Sequence, residues 1–488
     1  MKNRSLFLTL VSKMSKIYFS DISNKEHAYK KTIFYTLKDM GGVYIKFLQI
    51  LCVTQNFTDG WAGPKEFSVF NQVDNEVLDV HKIIEHQEQY FHIDKEPFAG
   101  GSFAQLYKGK LKTGEDVAIK ILRPSIAYEL KNDLVKLKKL VKIMSYFLPA
   151  NMINYNEAFA EFSYNCLLET DYEREIANME YFANMYKDSE YVIIPKVYKN
   201  ISSKYVIVQE FIDGPTLSEL VTSIKTGDSL ADYAFSRTGS DVWFQMMIAG
   251  AEALRSAMME DYVFGDPHPG NIILLKDNKI AFVDFGIIAN KPTSQEAFYL
   301  WTKAYRDVLL GGNDYGKLVE TTCSCFCPDL VNALKKCSIN LRGSKDFMAL
   351  LADALNVKLD SVMDNNDAAS KLIQGGHLFR LFTKFVDGKN ALNLKLDMNN
   401  FQLLKATQSY LSSVTMIDNR YGNNNFPKMM LDAMEYALRE CEAAGVKKDL
   451  IDTTKYSVNE SYELLLDTLT SLAEGDEILF QNISEGMF

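Results

Sequence analysis

The 488-residue sequence predicts an α+β chain of two lobes, a small β-containing lobe followed by a mainly helical one, with helical extensions at both ends. Apolar residues recur at helical intervals over residues 1–90 and 311–488. A strand–turn–strand signature occupies Glu96–Leu122. Two strand-like runs, Val192-Ile193-Ile194 and Tyr205-Val206-Ile207-Val208, precede the breaker Asp213-Gly214-Pro215, after which the helical texture returns. The expected divisions are a helical extension over 1–91, the small lobe over 92–213, the large lobe over 214–310 and a second helical extension over 311–488.

The elements follow in order. Met1–Ser20 carries Lys2, Arg4, Lys13 and Lys16 and no acid. Phe7, Leu10, Val11, Met14 and Tyr18 fall on one helical face, which suits either a helix packed on the protein or a basic amphipathic helix on a membrane surface. The short apolar run Leu6–Val11 lacks a small-residue cleavage site, so no signal peptide is expected. Thr32–Cys52 keeps helical spacing across Gly41-Gly42; Trp61-Ala62-Gly63-Pro64 is a loop, and Glu76–Phe91 is helical again. A turn at Lys112-Thr113-Gly114-Glu115 joins an alternating strand to a second strand, Asp116–Leu122. Asn156–Tyr186 reads as one long charged amphipathic helix. Beyond Gly311-Gly312 the helical pattern is interrupted at Gly375-Gly376 and Tyr421-Gly422-Asn423.

Composition narrows the function classes. Hydrophobic residues at 47% and charged residues at 24% fit a folded chain, and the net charge of −10 disfavours a nucleic-acid partner. The six His residues show no zinc spacing. Of the seven Cys, the cluster Cys323, Cys325, Cys327 with Cys337 fits no common zinc pattern, and reduced thiols in a cytoplasmic protein are expected. No run of about 18 apolar residues exists, so membrane contact is expected to be peripheral.

The chemistry concentrates in Asp266-Pro267-His268-Pro269-Gly270-Asn271 and Val283-Asp284-Phe285-Gly286. An Asp, an Asn five residues on and a second Asp behind the apolar run Lys279–Val283 are what phosphoryl transfer of the protein-kinase type requires. One carboxylate orients or deprotonates the attacking hydroxyl; the Asn and second Asp hold Mg²⁺ against the nucleotide phosphates. The two-lobed expectation thereby becomes a protein-kinase-like fold. Val117-Ala118-Ile119-Lys120 offers the lysine that such sites aim at the α and β phosphates. A buried lysine keeps its charge only beside a counter-ion. Glu175, four residues after Asp171 and expected on the same helical face, is the candidate. Ala99-Gly100-Gly101-Ser102 stands where a phosphate-covering loop belongs, although it is not G-x-G-x-x-G. Gln209-Glu210-Phe211-Ile212 falls where the lobes join, and the backbone near Glu210 and Phe211 would take an adenine edge.

With these residues in place the chain resembles the UbiB family of atypical kinase-like proteins, linked to coenzyme Q (ubiquinone) and other isoprenoid quinone metabolism, over roughly residues 30–310. Lys46-Phe47-Leu48-Gln49 is similar to the family's K-x-G-Q motif, Ala99–Ser102 to its alanine-rich loop, and Glu169-Thr170-Asp171 to its E-x-D motif. The resemblance implies ATP and Mg²⁺ as cofactors, Lys120 on phosphate and paired with Glu175, Asp266 as the catalytic-loop Asp, and Asn271 and Asp284 as metal ligands. It also implies that Lys46, Gln49, Glu169 and Asp171 line an occluded site where a protein kinase would receive its peptide. An isoprenoid lipid or quinone precursor is the implied partner.

Two departures stand out. Leu48 replaces the motif's Gly, and Gly100 and Gly101 replace Ala, whose missing methyl groups predict tighter or more permissive nucleotide binding. Mg²⁺-dependent phosphoryl transfer or ATP hydrolysis is the leading expectation. A catalytically silent nucleotide-binding scaffold for a membrane-associated biosynthetic complex is one alternative. A small-molecule phosphotransferase of the aminoglycoside and choline kinase type is the other, and the Lys46/Gln49 helix and Glu169/Asp171 pair weigh against it.

Overall fold

The computed structural model describes residues 2–21, 23–40, 42–54, 84, 89–100, 103–147, 155–224, 229–311, 317, 321, 324–325, 398–421 and 425–445. The chain divides into two compact units. One comprises Met1–Ser189, Ile193–Asp213 and Phe282–Ile287; the other comprises Glu190–Val192, Gly214–Ala281 and Ile288–Phe488.

The first unit opens with α1 (Lys2–Tyr18), α2 (Lys25–Met40) and α3 (Gly42–Thr54). Gly42, at φ +50°, separates α2 from α3 in a left-handed conformation that glycine adopts without steric cost. α1 packs on α2, and its Leu10 and Met14 are fully buried. That face is therefore spent on protein packing. Tyr18, expected on the same face, points outward at 53% exposure beside Phe19 at 84%, because the helix ends there.

β1 (Phe91–Ile93), β2 (Ala99–Gly100), β3 (Ala104–Leu111) and β4 (Asp116–Leu122) follow, then α4 (Pro124–Phe147), α5 (Tyr155–Glu169), α6 (Tyr172–Met185), β5 (Val192–Ile193, of which Val192 is counted with the second unit) and β6 (Val206–Glu210). A sheet is ordered β1-β3-β4-β6, with β2 also on β3. Phe91 starts a strand rather than ending a helix: it pairs with Leu111 and is buried in the sheet's core. Alternation along β4 sends Val117, Ile119 and Ile121 into that core with Tyr107, Val206 and Val208, and puts Ala118 and Lys120 on the opposite face.

Asn156–Tyr186 is two helices, not one. α5 stops at Glu169, and Asp171 caps α6 by accepting the Arg174 N–H at 3.1 Å. Aspartate favours this role because its carboxylate satisfies an amide that the helix leaves unpaired. Asp171 is thus exposed and outside the helix, and shares no inward face with Glu175.

The second unit contains α7 (Leu217–Ser223), α8 (Leu230–Thr238), α9 (Val242–Met259), β7 (Tyr262–Phe264), β8 (Ile272–Leu274), β9 (Ile280–Phe282), β10 (Ile288–Asn290), α10 (Gln295–Leu309), α11 (Met398–Tyr421) and α12 (Phe426–Ala443), Phe282 excepted. α9 is buried almost all round and packs against α10, α11 and α12. The Tyr410 hydroxyl donates to the Met246 carbonyl, and the Asp418 carboxylate accepts the Asn425 and Phe426 amides at 2.9 and 3.0 Å. The described part of 311–488 is therefore integral to this unit. β8 and β9 meet in a turn whose Asp277 and Asn278 both have φ 58°, the left-handed pair that a tight antiparallel hairpin needs.

Cys325 is buried; Cys323, Cys327 and Cys337 lie outside the described residues, as do Trp61–Pro64 and Gly375-Gly376. Among the described residues there is no cluster of three or more His, Cys, Asp or Glu placed to hold a metal, and no helix long and apolar enough to cross a membrane.

Candidate active site

Within the first unit, Lys120 leaves the β4 face opposite the core and meets two carboxylates. Its Nζ donates to Glu175 Oε1 and Oε2 at 2.7 and 3.0 Å and to Asp284 Oδ1 at 3.2 Å. The Lys120 and Glu175 side chains are 12% and 2% exposed, while Asp284 is 47% exposed. The ammonium also lies 5.5 Å from the centroid of the Tyr172 ring.

This packing tunes all three charges. Burial works against the charge on Lys120, yet Asp284 and Glu175 outweigh it and push the ammonium well above its ordinary 10.5. Burial pushes Glu175 up to about 7; Lys120 opposes the shift and the Asp284 charge adds to it. Burial also disfavours the charge on Asp284, but Lys120 and the Gly286 N–H prevail and hold that carboxyl below its ordinary 3.8. Burial raises the Tyr172 hydroxyl, which stays protonated and has no protein hydrogen-bond partner.

The Asp284-Phe285-Gly286 turn is held from α6. Asn178 Nδ2 donates to the Phe285 carbonyl at 2.8 Å and an Arg174 guanidinium nitrogen to the Gly286 carbonyl at 3.3 Å. The Phe285 ring is fully buried, 5.1 Å from Phe182. Asp284 itself has φ 69°, a conformation uncommon outside glycine. On the other side, Lys46 of α3 forms an ion pair with Glu169 at the end of α5, its ammonium 4.3 Å from the Phe103 ring centroid. Leu48 is fully buried. The side chain of Gln49, and Gly101 and Ser102, lie outside the described residues; Ala99 and Gly100 form an exposed strand edge on Leu106 and Gln105.

The backbone after β6 is less open than the sequence implies. The Glu210 amide donates to the Lys196 carbonyl at 2.8 Å and the Phe211 amide to the Asp116 carbonyl at 3.2 Å, so neither N–H is free to meet a base. Antiparallel pairing consumes them, which a single-strand reading could not foresee.

In the second unit, β7 and β10 press together so closely that a Cβ on Gly265 would lie 2.7 Å from Ile288 backbone atoms. That glycine fixes where Asp266 begins its loop. The Asp266 carbonyl accepts the His268 N–H at 2.7 Å, and His268 Nδ1 accepts the Gly270 N–H at 3.0 Å. Asn271 Nδ2 donates to both the Asp266 carbonyl and Oδ2 at 3.1 Å. Its amide oxygen therefore points away from the pair.

Residues 71–307 match the ABC1 atypical kinase-like domain. Those residues belong to the ABC1/UbiB family of atypical kinase-like domains. It is 31% identical over 245 residues to the chloroplastic protein ACTIVITY OF BC1 COMPLEX KINASE 1 of Arabidopsis thaliana, covering 50% of this chain and 33% of that one. It is 26% identical over 265 residues to AarF domain-containing kinase 1 of Drosophila melanogaster, covering 51% and 48% respectively. It is 26% identical over 297 residues to the probable protein kinase UbiB of Blochmanniella pennsylvanica, covering 58% and 52%. The chain thus spans about a third to a half of the length of these relatives.

Sequence reasoning about this ABC1/UbiB region missed Asn178, Tyr172, Phe103 and Gly265. Asn178 carries no motif; its partner is 107 positions away in sequence. Gly265 had a readable signal, a glycine directly before Asp266 after a short apolar run.

Proposed function

We propose that this chain binds Mg²⁺ and ATP and transfers or hydrolyses the terminal phosphoryl group. The placement of Lys120 between Glu175 and Asp284 carries the reading. A buried ion pair adds little stability over apolar side chains of the same volume. A lysine kept fully charged in a water-poor setting is instead suited to neutralise phosphate. The donor chemistry fits magnesium. One Asp284 oxygen is taken by Lys120 and Gly286, which leaves the other for a cation, and Asn271 keeps its amide oxygen because its NH₂ is spent on Asp266. Both are hard oxygen ligands, and magnesium commonly takes only one or two protein ligands beside phosphate and water.

When bound, the metal supplies charge neutralisation to the phosphates. Lys120 binds phosphate, Glu175 holds Lys120 in place, and Asp266 orients the attacking hydroxyl or water and receives its proton. The family resemblance implies an isoprenoid lipid or quinone precursor as a partner that is either acted on or assists the reaction. Exposed Phe19 and Tyr18 beside exposed Lys13, Lys16 and Lys25 support a peripheral approach to a membrane.

The test is ATP turnover by the native chain and by Asp284→Asn across a magnesium titration, with and without phospholipid vesicles carrying an isoprenoid quinone. Asn accepts the left-handed backbone of residue 284, so the variant removes charge without adding strain. Loss of at least about 100-fold in turnover is expected. Equal turnover in the two chains would reject the enzyme. Magnesium-dependent nucleotide binding without turnover would replace it with the silent scaffold.

A further inference from the structure

We propose that α6 clamps the Asp284 turn, with Arg174 and Asn178 as positioning residues for the metal-binding carboxylate. Arg174, Asn178 and Phe182 recur every fourth residue and so form one stripe along the helix. Each member of the stripe holds a different part of the turn: Arg174 the Gly286 carbonyl at 3.3 Å, Asn178 the Phe285 carbonyl at 2.8 Å, and Phe182 the Phe285 ring at 5.1 Å. Glu175, one residue along from Arg174, holds Lys120. A single helix therefore sets both the ammonium and the carboxylate opposite it.

Two further observations require a device of this kind. Asn178 is a buried amide in a helix whose other buried residues, Glu175 apart, are Tyr172, Ile176, Met179 and Phe182. A leucine there would pack as well without a polar group to satisfy, so the amide is explained by the carbonyl it holds. Asp284 occupies a left-handed backbone conformation, which persists only where surrounding contacts over-determine it. The Gly286 N–H donating to Asp284 Oδ1 at 3.2 Å closes the turn from within. Added bulk there would crowd it: a Cβ on Gly286 would lie 3.3 Å from Asp284 Oδ1 and 3.6 Å from Glu175 Oε2. Without the clamp, residue 284 relaxes to an ordinary backbone and its carboxylate swings off Lys120.

The inference rests on the magnesium–nucleotide reading for its functional meaning, and the test separates the two. Mn²⁺, used as the probe, is titrated into the full chain with a non-hydrolysable ATP analogue and followed by electron paramagnetic resonance. Analogue binding without metal is measured in parallel. Hydrogen exchange of the Phe282–Ile287 segment is recorded in the ligand-free chain. Asn178→Leu keeps the volume and removes the donor. It is expected to weaken Mn²⁺ by about 10- to 100-fold, the range for groups that orient a metal ligand, and to leave metal-free analogue affinity within about threefold. Exchange of the segment should rise at least about tenfold. Arg174→Lys, which retains a donor, should fall between native and Arg174→Ala.

Unchanged Mn²⁺ affinity and unchanged exchange in Asn178→Leu would overturn the clamp. If that variant fails to fold, the Arg174 pair decides on the same criteria. If the native chain binds neither analogue nor Mn²⁺, the nucleotide reading fails; the exchange data then still decide whether α6 holds the turn.

Discussion

Glu175 is the residue on which pH acts. Its carboxyl, ordinarily at 4.5, is pushed up to about 7 by burial, with Asp284 adding and Lys120 opposing. Below that pH Glu175 takes a proton, Lys120 loses one of two counter-charges and draws closer to Asp284. Nucleotide turnover is therefore expected to fall on the acid side with a midpoint near 7, and Glu175→Gln should lack that limb; a pH–rate profile of both chains checks this. Stability moves the other way for this group. Because its folded pKa lies above 4.5, its linkage contribution favours the fold below about 4.5 and is lost as the pH rises through about 7. The pairing of Lys120 with Glu175 was legible because a buried ammonium demands a counter-ion, although Asp171 caps the helix and does not share the face expected with Glu175. The roles of Asn178 and Gly265 were not, because each answers to backbone that arrives from elsewhere in the sequence.

At the scale of elements, local chemistry was a good guide where turns and alternation govern and a poor one where caps do. The β3–β4 hairpin was readable from its alternation and from Lys112–Glu115, and the strand before Asp284 from its apolar run. The break between α5 and α6 was missed because Thr170-Asp171 contains neither Gly nor Pro; only the capping bond to Arg174 distinguishes it from a helix interior. α1 shows the limit of amphipathic patterns. Its spacing suited a membrane surface as well as a protein neighbour, and full burial of Leu10 and Met14 decides for packing on α2. Leu10→Ala or Met14→Ala is expected to cost about 2–5 kcal/mol in thermal or denaturant unfolding. Deleting residues 1–20 would therefore destabilise the helical layer as well as remove a basic segment. Substituting exposed Phe19 probes lipid contact without that penalty.

At the scale of the whole molecule, the two units are not consecutive in sequence. Phe282–Ile287 is counted with the first, although the chain on both sides of it belongs to the second. Residues 1–213 produced alone would lack Phe285, a fully buried ring, and would leave the Asn178 amide without its acceptor. Such a fragment is expected to bind a hydrophobic dye and unfold without a sharp transition, whereas the full chain unfolds cooperatively; calorimetry of the two compares them directly. The same interleaving bears on how genes of this kind can recombine. A single crossover at Gly214 between diverged copies would inherit the ammonium from one parent and its facing carboxylate from the other, with the hydrogen bonds of Arg174 and Asn178 fitted to neither. Viable chimaeras should therefore exchange the stretch from Val117 to Ile287 as one block.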